Sequence, residues 1–126
     1  MKKKFSLAVC LSIATPRFVC DDIGQVYEIL NWMTGDNLYT HQLPRAARWA
    51  VPIIASRHPD LAAAATVESM ARLDEELAKS QPKEAVKAWI AWAKETAGLA
   101  DEYEIESASE SWTPRDPIVE LSEMIK

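Results

Sequence analysis

The stretch Phe18–Arg48, FVCDDIGQVYEILNWMTGDNLYTHQLPRAAR, contains a complete helix between two boundary signals. Asp21 or Asp22 can cap the helix N-terminus, because a carboxylate oxygen accepts hydrogen bonds from free backbone N–H groups. Apolar residues then recur at helical spacing, and Gly35 stands where a left-handed C-terminal residue is expected. The pattern predicts a helix from about residue 22 to residue 33. Its inner side holds Ile23, Val26, Tyr27, Leu30 and Met33.

Two segments outside this stretch alternate with a period of two. From Phe5 to Ile13 apolar residues alternate with small or polar ones, and this predicts a strand over residues 4–14. The segment DEYEIES, residues 101–107, places Tyr103 and Ile105 on one side and glutamates on the other. Because an isolated strand is unstable, the two are expected to pair in a small sheet covered by helices.

The rest of the chain reads as helix. One helix begins at Pro44 and reaches the boundary at His58, with Pro52 predicting a kink or break near residues 49–51. Two more are expected over residues 60–79 and 82–96, and Asp116 caps a last one. The inward residues of that last helix are expected to be Ile118, Leu121 and Ile125. The predicted fold is α+β and mostly helical, with about five helices and a two-stranded sheet formed by the N-terminal strand and a strand near residues 102–107.

Composition is that of one soluble, folded domain. The 126 residues are 48% hydrophobic and include five tryptophans but only three glycines, so residues 1–126 are expected to form a single globular domain. No apolar run reaches the roughly 18 residues that a membrane-spanning helix needs. The alternation after Met1 does not fit the continuous apolar core of a signal peptide, so the protein is expected in the cytoplasm with its thiols reduced.

Charge is distributed unevenly. Residues 1–58 carry a net charge of +3 and residues 59–126 a net charge of −8. The most negative part is the C-terminal quarter, residues 101–126, with two basic and eight acidic side chains. This quarter is therefore expected to repel nucleic acid and to favour a partner protein with a basic surface.

The most regular acidic feature is the row Glu102, Glu104 and Glu106, whose carboxylates would lie about 6.6 Å apart along one face of a strand. Glu110 extends this acidic region. It either docks on a basic groove or keeps a solvated strand from aggregating. We take these four glutamates as the candidate partner-binding residues, with Trp92 or Trp112 as aromatic anchors if they are exposed. Packing in the core is the alternative for the tryptophans.

A second candidate site contains His41, Arg45 and Arg48. The two arginines are three residues apart and share a helix face, which suits a phosphate or carboxylate, and His41 adds a side chain that can donate or accept a proton. The alternative is a structural role in which the arginines bridge to Asp36 or to the acidic C-terminal region. No nucleophile with a paired base and no phosphate-binding loop is recognisable, so no catalytic residue is assigned.

No metal or cofactor is expected. Cys10, Cys20, His41 and His58 contain suitable donor atoms, but their spacings are not the short paired spacings of a zinc site. The two cysteines are expected to be packing residues.

The run VCDDIGQVYEILNWMTGDNLYTHQLPRAAR, residues 19–48, resembles the signature stretch of a family of short, uncharacterised proteins encoded by tailed phages and prophages. The later DPIVEL, residues 116–121, is similar to the C-terminal ending of that family. The resemblance implies a small accessory protein acting in the cytoplasm of an infected bacterium. Proteins of that kind often bind and disable host machinery, including CRISPR complexes; no catalytic residue is carried over from the family.

Three hypotheses follow. The first is a non-enzymatic, phage-encoded protein that inhibits or redirects a host nucleic-acid-handling or anti-phage defence complex through its acidic C-terminal surface. The second is a small enzyme or ligand-binding domain for an anion such as a nucleotide, centred on His41, Arg45 and Arg48. The third is a structural or assembly component of the phage. Direct nucleic-acid binding is disfavoured, because no segment combines a basic face with a helix-turn-helix pattern.

Overall fold

The computed structural model describes residues 2–15, 17, 19–20 and 22–125. In this part of the chain, seven α-helices and one two-stranded sheet form an α+β fold that is mostly helical, which confirms the predicted class. The elements are β1 Lys2–Ser6, α1 Leu7–Ala14, α2 Ile23–Thr34, α3 Leu43–Arg57, α4 Pro59–Ala63, α5 Val67–Lys79, α6 Pro82–Ala97, β2 Glu102–Glu106 and α7 Pro117–Met124. Two 3-10 turns, Thr40–Gln42 and Ser109–Ser111, precede α3 and follow β2.

The sheet joins the two predicted strand regions. β1 and β2 are antiparallel, with Phe5 opposite Tyr103 and Lys3 opposite Ile105. Phe5, Tyr103 and Ile105 are buried against the helices. From α2, the Trp32 indole Nε1 donates to the Ile105 carbonyl at 2.8 Å, so this helix is tied to the inner face of the sheet.

The predicted strand over residues 4–14 is wrong beyond Ser6, where the chain enters α1. Ser6 caps this helix by accepting a hydrogen bond from the Val9 N–H at 3.5 Å. The alternation misled because α1 is buried on nearly all sides, with the small Cys10 buried as fully as Leu11. A helix buried all round carries no amphipathic signal.

The predicted helix in the opening stretch is confirmed as α2. Asp22 caps it by accepting from the Gly24 N–H at 3.0 Å, and Gly35 ends it with φ +68°. Val26, Leu30 and Met33 are buried as predicted, whereas Ile23 is half exposed. The other cap candidate, Asp21, lies outside the described residues.

Two helix boundaries differ from prediction. α3 continues through Pro52. Proline has no N–H to donate to the Arg48 carbonyl, but both residues are exposed, so water can bond that carbonyl instead. The helix predicted over residues 60–79 is instead divided into α4 and α5. Thr66 causes the division, since its side chain caps α5 by accepting from the Ser69 N–H at 3.1 Å.

The core lies between the sheet and the helices and is centred on α1, α2, α3 and α6. Trp89 of α6 is fully buried, and its Nε1 donates to the Ser69 carbonyl at 2.9 Å. Both cysteines are free of disulfide bonds and buried, as predicted, and burial raises the pKa of Cys10 to about 12. None of the helices in the described residues combines the length and apolar character needed to cross a membrane.

Candidate functional site

The acidic strip consists of Glu102, Glu104 and Glu106 on β2. All three side chains are exposed on the outer face of the sheet, because the intervening Tyr103 and Ile105 point into the core. This is the strand geometry that the sequence predicts. Glu110 is exposed in the 3-10 turn Ser109–Ser111, beyond the end of β2.

The acidic strip is partly balanced by lysines across the sheet. In the antiparallel register, Lys2 lies opposite Glu106 and Lys4 opposite Glu104. The Lys2 Nζ is 3.9 Å from Glu106 Oε1. Arg57 is 4.0 Å from the same carboxylate and also donates to the Glu106 carbonyl at 3.3 Å. In the described part of the chain only Glu102 and Glu104 of the strip form no ion pair, so the uncompensated charge lies at that end.

The two tryptophans proposed as anchors are in different environments. Trp92 is half-buried, with the Arg72 guanidinium 5.4 Å from its ring centroid. Trp112 is only 5% exposed, and its Nε1 donates to Asp36 Oδ2 at 3.1 Å. The Arg45 guanidinium lies 4.1 Å from the Trp112 ring centroid. A surface anchor must be accessible, so Trp112 does not suit that role.

The apolar side of α7 is exposed, and the prediction that Ile118, Leu121 and Ile125 point inward is wrong. Ile118 is 70% exposed and Ile125 is 78% exposed. The exposed large apolar residues of this segment are Ile118, Val119, Leu121, Met124 and Ile125. We call these five residues the α7 apolar face.

A buried carboxylate explains this inverted orientation. Glu120 is only 4% exposed, and Arg45 holds it with two bonds, Nε to Oε2 and NH2 to Oε1, each 3.0 Å long. The Gln42 Nε2 donates to Glu120 Oε1 at 3.2 Å. We call Gln42, Arg45 and Glu120 the Glu120 cluster. The hydrogen bond from Arg45 is the largest cause of the lowered pKa of Glu120, against an opposing effect of burial.

The remaining attachments of the C-terminal segment are also polar. The His41 Nε2 lies 2.8 Å from the Pro117 carbonyl oxygen, and Arg45 NH1 donates to the Thr113 carbonyl at 3.1 Å. Arg115 is ion-paired with Glu123. The Arg115–Glu123 pair lies within the segment 113–123, and the segment is held to the 3-10 turn Thr40–Gln42 and to α3 by hydrogen bonds and by the ion pair between Arg45 and Glu120.

The structure brings His41, Arg45 and Arg48 to one pocket, of about 260 Å³. Glu120 and Glu123 line the same pocket and reduce its positive charge. Arg45 serves the Glu120 cluster, which confirms the alternative in which it bridges to the acidic C-terminal region. Among the described residues, Arg48 makes no hydrogen bond or ion pair.

Sequence reasoning missed Glu120 and assigned no role to Gln42. The apolar residues of α7 at helical spacing led to the opposite orientation, in which Glu120 faces water. The available signal was Arg45, because a half-buried arginine needs an acidic partner. The partner is 75 residues away in the chain, and several exposed glutamates competed for the role.

Comparison with known proteins gives a match to part of the chain. No curated protein and no solved structure matches the chain, whereas one family model matches part of it. The matching part spans β1 in part, all of α1 to α4, and none of the acidic strip, Trp92, Trp112 or α7. Residues 5–64 are similar to the family model described as a domain of unknown function, DUF7736.

Proposed function

We propose that this is a phage-encoded accessory protein that binds a host protein with a basic surface and inhibits or redirects it. The target we propose is a nucleic-acid-handling or anti-phage defence complex, such as a CRISPR complex, in the bacterial cytoplasm. The observation that carries the proposal is the composition of residues 102–125, which present both the acidic strip and the α7 apolar face to solvent.

The acidic strip supplies electrostatic attraction in this proposal. A basic groove that normally holds nucleic acid presents positive charge to which exposed carboxylates are complementary. Glu102 and Glu104 contribute most, since Glu106 is already close to Lys2 and Arg57. Such attraction weakens as salt rises, because exposed charges are screened.

In this proposal the α7 apolar face supplies apolar surface that the partner buries on binding, which adds to the electrostatic attraction. Soluble proteins rarely expose several large apolar side chains on one short helix unless that surface contacts something. Because Trp112 is buried, Ile118 and the other residues of this face replace it as the anchor.

A second function, binding of an anion such as a nucleotide, is favoured by the convergence of His41, Arg45 and Arg48 on one pocket. In this case Arg48 provides the available positive charge, since Arg45 is bonded to Glu120. Stabilisation by nucleotides in a thermal-shift screen, abolished by Arg48→Ala, would establish this function.

The test of the first function is affinity capture from bacterial lysate followed by reconstitution of the purified pair and calorimetric measurement of Kd. Glu102→Lys with Glu104→Lys is expected to weaken binding and to flatten its salt dependence. Ile118→Ser with Ile125→Ser is expected to weaken binding with little change in salt dependence.

The matched control is Glu68→Lys with Glu75→Lys, which reverses two exposed carboxylates on α5. This control should leave the Kd unchanged. If both C-terminal double variants bind as tightly as the wild type, residues 102–125 are not the binding surface. Recovery of the protein alone, with self-association in sedimentation, would instead support an assembly component.

A further inference from the structure

An open groove lies between α1 and α3, within the part of the chain that matches DUF7736 except for one residue. It has a volume of about 520 Å³, within the range of small-molecule sites. We call it the Arg48 groove. The residues that define it are Ile13, Ala14, Ala47, Arg48, Val51 and Ala65.

The floor of the Arg48 groove is apolar. Ile13 and Ala14 come from the buried helix α1, while Ala47 and Val51 come from α3 and share a helix face at a spacing of four residues. Val51 is exposed, so the groove opens to solvent. Binding of an apolar ligand on this surface is favourable, because it removes apolar area from water.

The polar groups beside the groove already have partners. The Ser12 hydroxyl donates to the Ala8 carbonyl and accepts from the N–H groups of Val19 and Cys20, at 2.9 to 3.0 Å. The Thr15 hydroxyl donates to the Leu11 carbonyl at 2.6 Å. These hydroxyls are therefore committed to the backbone of the fold.

The two arginines at the groove differ in whether their side chains already have a partner. Arg17 is ion-paired with Asp74 of α5. Arg48, in contrast, makes no hydrogen bond or ion pair to any described residue, although it lies at the junction of the groove and the His41 pocket. It is the one charged group along the groove, within the described chain, that is available to a ligand.

From these observations we infer that the Arg48 groove binds a free aliphatic carboxylate, with its chain on Ile13, Ala47 and Val51 and its carboxylate on Arg48. A single guanidinium matches a single negative charge and can bond both carboxylate oxygens. A dianionic phosphate ester would require a second cation, and Arg17 is already neutralised by Asp74. None of residues 102–125 lines the groove itself, although Arg48 is shared with the pocket that Glu120 and Glu123 line.

The test is titration calorimetry of the full chain with sodium decanoate below its critical micelle concentration, with decylammonium as the cationic probe. Wild type is expected to bind decanoate saturably and decylammonium more weakly. Arg48→Ala is expected to weaken decanoate binding about tenfold or more, since a charge-assisted bond is lost. Val51→Asp, which places a negative charge beside the aliphatic chain of the ligand, is expected to weaken decanoate binding more than Arg48→Ala does.

Arg57→Ala is the matched control, because Arg57 is an exposed arginine at the other end of α3. The three substituted side chains are exposed, so unchanged circular dichroism would show that each variant folds. The inference is overturned if wild type shows no saturable binding, or if Arg57→Ala weakens binding as much as Arg48→Ala. It is also overturned if phosphatidylglycerol vesicles bind in an Arg48-dependent manner while decanoate does not, since the occupant would then be a membrane.

Discussion

At the scale of single residues, Glu120 decides how the C-terminal segment meets the rest of the protein. A carboxylate that is almost fully buried must be paired, and Arg45 and Gln42 provide that pairing. Because Glu120 faces the protein, the apolar residues on the other sides of the same helix face solvent. The polar interaction thus overrides the usual preference of an amphipathic helix for burying its apolar side.

Glu120→Gln is expected to lower the free energy of unfolding at pH 7 by roughly 1.5–3 kcal/mol, because the charge-assisted bonds to Arg45 are lost. The pKa of Glu120 is lowered in the folded protein, so this stabilisation is present above the unfolded carboxyl pKa of about 4.3 and is lost as pH falls through the folded value. Urea unfolding at pH 7 and at pH 3, followed by tryptophan fluorescence, should show the difference shrinking at pH 3.

Glu123→Gln is the control for this experiment. Its ion pair with Arg115 is exposed, so its removal should change stability little at either pH. Equal destabilisation by the two substitutions, or a difference that persists at pH 3, would contradict the role given to Glu120.

At the scale of the elements, a helix was predicted accurately where the residues at its ends gave a clear boundary signal. α2 and α6 were predicted closely because each ends at a glycine with positive φ, Gly35 at +68° and Gly98 at +66°. α1 was missed because a helix buried on all sides has no period that distinguishes it from a buried strand. The division between α4 and α5 was missed because Thr66 is a cap inside a run of good helix formers.

The two helix-ending glycines provide a matched pair. Gly35→Ala and Gly98→Ala each place a side chain in the left-handed region, at a cost of roughly 1–2 kcal/mol. A Cβ at Gly35 would also lie 2.8 Å from Ser109 Cβ, whereas a Cβ at Gly98 would have no atom of the described residues within 4 Å. Thermal unfolding is therefore expected to show a larger loss for Gly35→Ala. A loss that is equal or greater at Gly98 would contradict the close packing of α2 against the turn Ser109–Ser111.

At the scale of the whole molecule, the sequence predicted the sheet and the acidic strip on its outer face, but not the charges that face the strip or the orientation of α7. The pairing of β1 with β2 followed from two alternating segments that each needed a partner. The outward acidic strip followed from the same alternation. The lysines opposite the strip, and the exposed α7 apolar face, depend on contacts between distant segments that no local pattern encodes.

The contrast between core and surface gives a stability prediction. Trp89→Ala removes a fully buried indole and its bond to Ser69, and is expected to reduce the free energy of unfolding by about 3–5 kcal/mol. Ile118→Ser, on the α7 apolar face, is expected to change it by no more than about 0.5 kcal/mol. Chemical denaturation measures both. A large loss for Ile118→Ser would mean that α7 packs against the protein through its apolar side.

The pairing of β1 with β2 also sets the order of events during translation. Residues 2–6 are made before their partner strand, which follows only after residues 7–101 have been added. At about 5–20 residues per second, the nascent strand waits on the order of 5–20 s. During that interval Lys2, Lys3 and Lys4 protect it, because a run of positive charge on an open strand repels the same strand on a neighbouring polysome.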